Sequence, residues 1–154
     1  MKKSFKDYLL VSIQFFLFGC FTFDLLPHFY SSSFFSNLSL IIATIGILIV
    51  SIAIFQLKVS LTVFPSPKQN AVLVTNGLFS FSRHPIYSGV ILFCFGYAIY
   101  QTSYYKLIIS SILLILFYFK TLYEERQLTL KFPNYYLYKV KVGRFFPKLY
   151  SFIR

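Results

Sequence analysis

Hydrophobic and polar positions alternate along this chain at the scale of whole segments. Four long apolar runs, at about 9–26, 34–57, 86–100 and 104–122, are separated by short polar stretches. A bilayer's hydrocarbon is about 30 Å thick and a helix rises about 1.5 Å per residue, so a crossing takes about 20 apolar residues. The first, second and fourth runs have that length. The third is short unless its helix begins earlier, near Ser82, which can cap a helix. Pro85 fits a first turn, where the N–H it lacks would have no intrahelical partner. A third helix over 84–101 is therefore expected. Gln101, Thr102 and Ser103 then leave room only for a tight turn into the fourth. The pattern predicts an all-α, polytopic integral membrane protein: one domain, four transmembrane helices and a tail over 123–154.

Composition supports lipid as the solvent. Of the 154 residues, 57% are apolar and 12% charged, about half the roughly 25% of a soluble domain. Mean hydropathy is +0.69. Fifteen Lys and Arg oppose four Asp and Glu, for a net charge of +11. Such an excess can mark a nucleic-acid binder. Here the basic residues flank apolar runs and form no single patch, so the expected partners are membrane lipids, with no nucleic acid. Each juxtamembrane cation attracts anionic headgroups by about 1 kcal/mol.

The same residues orient the chain, because Lys and Arg favour cytoplasmic flanks. Fourteen of the fifteen fall before the first run, between the second and third, or from Lys120 onward; Lys106 alone falls on the other side. Both termini are expected in the cytoplasm. The opening Met1-Lys2-Lys3-Ser4 before an apolar stretch resembles a secretory leader, and Leu17-Phe18-Gly19-Cys20 a lipoprotein box. Removing that segment would spoil the charge asymmetry, so it is read as a retained first helix. Cys20 and Cys94 read as small hydrophobes, with no disulfide framework or metal site.

The chemistry-bearing residues concentrate in two segments on the cytoplasmic side, 58–83 and 120–154. A helix starting near His84 presents free N–H groups and a positive dipole end, which suit a carboxylate or phosphate. Arg83 adds a planar fork of donors. Equally, Arg83 could reach to headgroups and His84 could only cap the helix. Glu124 and Glu125, expected just past the fourth helix, are disfavoured there by its dipole and by the anionic membrane face. Arg126, the basic tail or a cationic ligand could compensate them. Lys120 and Glu124, at i and i+4, share a helix face. Asp24 reads as an interfacial carboxylate. The tail's mixture of aromatic and basic residues suits an interfacial helix, either a lid or a membrane anchor.

The run from Leu73-Val74 through Gly77 and Phe79 to Arg83-His84-Pro85-Ile86-Tyr87-Ser88-Gly89 resembles a known signature. It is that of the isoprenylcysteine carboxyl methyltransferases and their bacterial, phospholipid methyltransferase-like relatives. There the pattern is Leu-Val-x-x-Gly-x-Tyr-x-x-x-Arg-His-Pro-x-Tyr-x-Gly. A helical hairpin, a Glu-Glu pair and an aromatic, basic tail follow; here these are Glu124-Glu125, Tyr135, Tyr138 and Arg144-Phe145-Phe146-Pro147. The resemblance covers about 65–147. It implies S-adenosylmethionine as methyl donor, held by Leu73, Val74, Phe79, Arg83, His84, Pro85, Tyr87 and Glu124. It implies a bacterial inner membrane and a lipophilic acceptor, an isoprenylcysteine-like carboxylate or a phospholipid amine among the options. Lys120 stands where the family has an Arg facing the acceptor, and Lys cannot clamp a carboxylate bidentately. Phe79 replaces a Tyr. Lys120 and Glu125 are the expected catalytic groups, with His84 and Glu125 as the bases near enough for an acceptor that carries a proton.

Two other readings compete. Membrane sterol reductases, which use NADPH, have a similar terminal architecture, but in their comparable motif an acidic residue follows the Gly, where this chain has Val90. A non-catalytic membrane subunit is the second, against which the joint presence of His84, Tyr87 and Glu124 argues.

Overall fold

A computed structural model describes residues 3–148 of the chain. Those residues are helical, with no strand among them. The helices are α1 (Phe5–Phe21), α2 (Ser33–Leu57), α3 (Pro85–Tyr100), α4 (Tyr104–Lys131) and the short α5 (Tyr135–Lys141). Two 3-10 turns, Lys58–Ser60 and Gly77–Ser80, interrupt the linker between α2 and α3.

Local polar chemistry sets the helix ends that hydropathy misplaces. α1 starts four residues before its apolar run because the Ser4 backbone N–H donates to the Asp7 carboxylate at 2.8 Å. α3 begins at Pro85 with His84 as its cap, not near Ser82. The turn into α4 passes through Thr102, at φ +51°, and Ser103 accepts the Lys106 N–H at 3.1 Å. α4 runs well beyond 122, so Glu124 and Glu125 lie on the helix and not past its end.

Two helices among the described residues, α2 and α4, are long and apolar enough to cross a membrane, where four were expected. α1 has 17 residues and α3 has 16. At about 1.5 Å per residue both fall short of the hydrocarbon thickness.

α2 and α3 pack backbone to backbone. Ser39, Ala43, Gly46 and Ala53 are buried on α2, and the first three face Gly89 and Gly96 of α3. A methyl group on Gly46 would sit 2.6 Å from the Gly89 carbonyl oxygen, and one on Gly96 would sit 2.7 Å from the Ser39 carbonyl. Small residues give this approach, which in lipid replaces hydrophobic burial as the source of helix association. Leu17 and Phe21 of α1 join Ile91, Cys94, Leu113 and Phe117 in the core beneath. Ile41, Leu48, Ile52 and Phe55 of α2 face outward and are exposed, as a lipid-facing helix requires.

Two polar clasps tie the ends of the bundle. At one end Asp24 accepts from Ser103 (2.6 Å) and Lys106 (3.0 Å) and contacts His28 at 3.1 Å. At the other, fully buried Asp7 accepts from the Ser66 hydroxyl at 2.7 Å and its N–H at 3.1 Å, fixing the linker to α1.

Candidate functional site

The linker reaches the bundle through one glycine. Gly77 has φ +60°, a left-handed conformation that costs glycine least. The Gln56 carboxamide lies so near that a Cβ at Gly77 would overlap it, and its oxygen accepts the Leu78 N–H at 3.0 Å. The following 3-10 turn buries Phe79. Beyond it, the chain meets its own tail. The N–H groups of Arg83 and His84 donate to the carbonyls of Gly143 and Arg144 at 2.9 and 3.1 Å. Ser88 donates to the Phe145 carbonyl at 2.7 Å, and the Tyr138 hydroxyl to that of Phe79 at 2.6 Å. The described part of the tail is therefore a strap across the entry to α3.

Beneath the strap lies a cavity of about 270 Å³, walled by the linker, the start of α3, the end of α4, α5 and Gln14 of α1. That is close to the lower bound of about 300 Å³ for small-molecule sites. Nine of the ten expected residues line it: Leu73, Val74, Phe79, Arg83, His84, Pro85, Tyr87, Lys120 and Glu124. Glu125 does not.

The two neighbouring carboxylates have opposite surroundings. The Glu124 Oε2 accepts the Tyr87 hydroxyl at 3.0 Å and lies 3.9 Å from His84 Nδ1. Its side chain is 22% exposed, toward the cavity. The Tyr87 ring stacks between His84 and Phe117, which fixes the direction of its hydroxyl. Glu125, 1% exposed, is surrounded by cations. Arg83 reaches its Oε1 through Nε (3.0 Å) and Nη2 (2.8 Å), His84 Nε2 stands at 3.4 Å, Arg144 at 3.2 Å, and Lys139 meets Oε2 at 3.1 Å.

This arrangement alters two of the expected roles. The Arg83 fork is spent inside the protein, on Glu125 and on the carbonyls of Lys139 and Val142. Glu125 in turn is an anchor among cations, with its lone pairs already engaged. The unspent donors at the α3 start are the N–H groups of Ile86 and Tyr87, which find no backbone acceptor among the described residues.

Lys120 is 1% exposed and makes no ion pair among the described residues. Its ammonium donates to the Gln14 side-chain oxygen and to the Val63 carbonyl at 3.1 Å, and lies 5.4 Å from the centre of the Tyr87 ring. A buried cation with no carboxylate in direct contact is unusual. Gln14 was not among the expected residues; a carboxamide inside an apolar run is the signal that marks it. Tyr135 and Tyr138 also line the cavity. Burial pushes both phenols well above their ordinary range, so both remain protonated donors.

The family model for phospholipid methyltransferases matches residues 34–134, from the first turn of α2 to just past α4. The chain belongs to the phospholipid methyltransferase family. No curated protein matches the chain. Family membership makes it a membrane methyltransferase, in keeping with its apolar helices. The matched segment holds all ten residues singled out from the sequence, whereas Gln14, Tyr135 and Tyr138 lie outside the phospholipid methyltransferase match.

Proposed function

We propose that this protein transfers a methyl group from S-adenosylmethionine to a lipophilic acceptor at the cytoplasmic face of a bacterial inner membrane. The observation that carries the reading is one cavity lined jointly by His84, Tyr87, Glu124 and Lys120 in a member of this family. The chemistry of the wall fits the donor. Leu73, Val74 and Phe79 offer apolar surface to a nucleoside, the first turn of α3 suits a carboxylate, and Glu124 suits an ammonium or hydroxyl.

When bound, the donor supplies an electrophilic methyl group on a sulfonium. Glu124, held by the Tyr87 hydroxyl, orients the cationic end, and such positioning contributes several kcal/mol to a displacement. The apolar wall excludes water, which favours a transition state that disperses charge. Lys120 faces the acceptor as a point charge, suited to one oxygen of a phosphate or carboxylate. An acceptor that is already anionic needs no base. For an amine or hydroxyl, His84 is the base within reach, because Glu125 is engaged by Arg83, Arg144 and Lys139.

Four crossings fit this reading, with the short α1 and α3 accommodated by local thinning and snorkelling flanks. Fourteen of fifteen basic residues then lie on the cytoplasmic side, with the termini and the cavity. The deciding test is calorimetry of S-adenosylhomocysteine with the full chain in neutral detergent. It should bind the wild type and be lost with Glu124→Ala and His84→Ala. Mass spectrometry of membrane lipids should then show a species heavier by one CH₂ only with active protein. Wild-type protein that ignores the ligand would return the chain to a non-catalytic role.

A further inference from the structure

The Tyr135 hydroxyl is the only fully buried side-chain polar atom without a hydrogen-bond partner among the described residues. Its residue is 1% exposed and its ring forms part of the cavity wall. One turn later on α5, the Tyr138 hydroxyl is satisfied by the Phe79 carbonyl at 2.6 Å, and the two rings meet edge to face at 5.8 Å. Arg83 holds α5 from the other side through the Lys139 carbonyl at 3.0 Å. The helix is thus fastened on both flanks, with a donor that Phe would replace at no loss of packing. An unmade hydrogen bond in such a place is costly to keep. A ligand that fills the cavity gives it a purpose.

Position narrows which ligand group that is. Tyr135, Phe79, Arg83 and His84 line the cavity where α3 begins, and the Lys120 ammonium, which lines the same cavity, already donates to Gln14 and Val63. The start of α3 attracts negative charge through its dipole and through the unpaired N–H groups of Ile86 and Tyr87. Arg83 contributes field there but no free fork, since Glu125 and two carbonyls occupy it. A neutral phenol that stays protonated can donate to an anion in this place.

We propose that the Tyr135 hydroxyl hydrogen-bonds the carboxylate at the amino-acid end of the methyl donor, beside the first turn of α3. The assignment rests on the donor reading given above. It makes α5, outside the segment matched by the family model, part of the donor site.

The experiment compares two ligands on the full chain in neutral detergent: S-adenosylhomocysteine, and 5′-methylthioadenosine, the same nucleoside without the amino-acid end. With Tyr135→Phe, affinity for the first should fall about tenfold or more, the loss expected for a hydrogen bond to a charged group. Affinity for the second should not change, and Tm should be equal to or above the wild type, since an unsatisfied group has been removed. Tyr138→Phe is the control; it breaks the bond to Phe79, lowers Tm and affects both ligands alike. Unchanged binding of S-adenosylhomocysteine to Tyr135→Phe, or equal weakening of both ligands, overturns the assignment of Tyr135 alone. Wild-type protein that binds neither ligand overturns the donor reading with it.

Discussion

The two ends of the α3–α4 hairpin both gather charge, and they do so to different effect. Around Asp24 every charge is answered within the protein: Ser103, Lys106 and His28 converge on one carboxylate, and none of the four lines the cavity beneath the strap. At the other end the cluster is split. Glu125 absorbs Arg83, Arg144 and Lys139 and makes a rigid floor. Glu124, Lys120 and Tyr135 keep capacity unspent and face the same empty space. A satisfied cluster fastens helices together, whereas an unsatisfied one above a satisfied one makes a binding site. Two adjacent residues on α4 divide these tasks because successive positions on a helix point in different directions.

The comparison breaks most visibly at Glu125. Glu125→Ala should remove about 3–5 kcal/mol of stability, because three cations lose their shared partner in a buried place; thermal melts in detergent should show a large drop or no folded protein. Glu124→Gln should melt close to the wild type yet bind S-adenosylhomocysteine about tenfold to a hundredfold more weakly, by loss of a charged partner. If the two variants melt alike, the division of labour is wrong. Lys106→Met, at the far end, should cost about 1–2 kcal/mol of stability and leave ligand affinity unchanged. A fall in affinity there would mean that the ends are coupled.

The smallest expected effect concerns pH. Hydrogen bonding from Ser103, aided by Lys106, holds the Asp24 carboxyl below its usual value. A depressed carboxylate stabilises the fold above the ordinary pKa, about 4, and loses that contribution as pH falls through the lowered value. The difference in Tm between wild type and Asp24→Asn should therefore be full near neutrality and shrink in acid. A difference that grows on acidification would contradict the cluster's role.

Much of this molecule is legible in its sequence, and the misplaced parts share one cause. Apolar runs locate all four long helices, since lipid rewards contiguous hydrophobicity whatever surrounds it. They misplace the start of α1 and the end of α4, which polar residues govern: Asp7 caps from outside the run, and Glu124 with Glu125 extend a helix whose apolar stretch has ended. The motif brings Leu73, Phe79, His84 and Tyr87 to one cavity with Glu124. It does not say that Arg83 would be consumed by Glu125, for that pairing joins residues 42 apart in sequence. Gln14 needs the tertiary structure for the same reason, entering the wall from a helix that no local pattern ties to the motif; Tyr135 belongs to the resembling tail, but only the fold brings it to the cavity.

The glycine contact between α2 and α3 also limits how this molecule can breathe. At Gly46 and Gly96 the carbonyl oxygens of one helix occupy the space that a methyl group would need on the other. Neither helix can slide along its mate without steric collision, so the pair moves as a single stiff plank. The walls of the cavity that are free of this contact are the linker, α1, α4 and α5. The stiff plank thus serves as the fixed side against which the linker, α1, α4 and α5 complete the cavity.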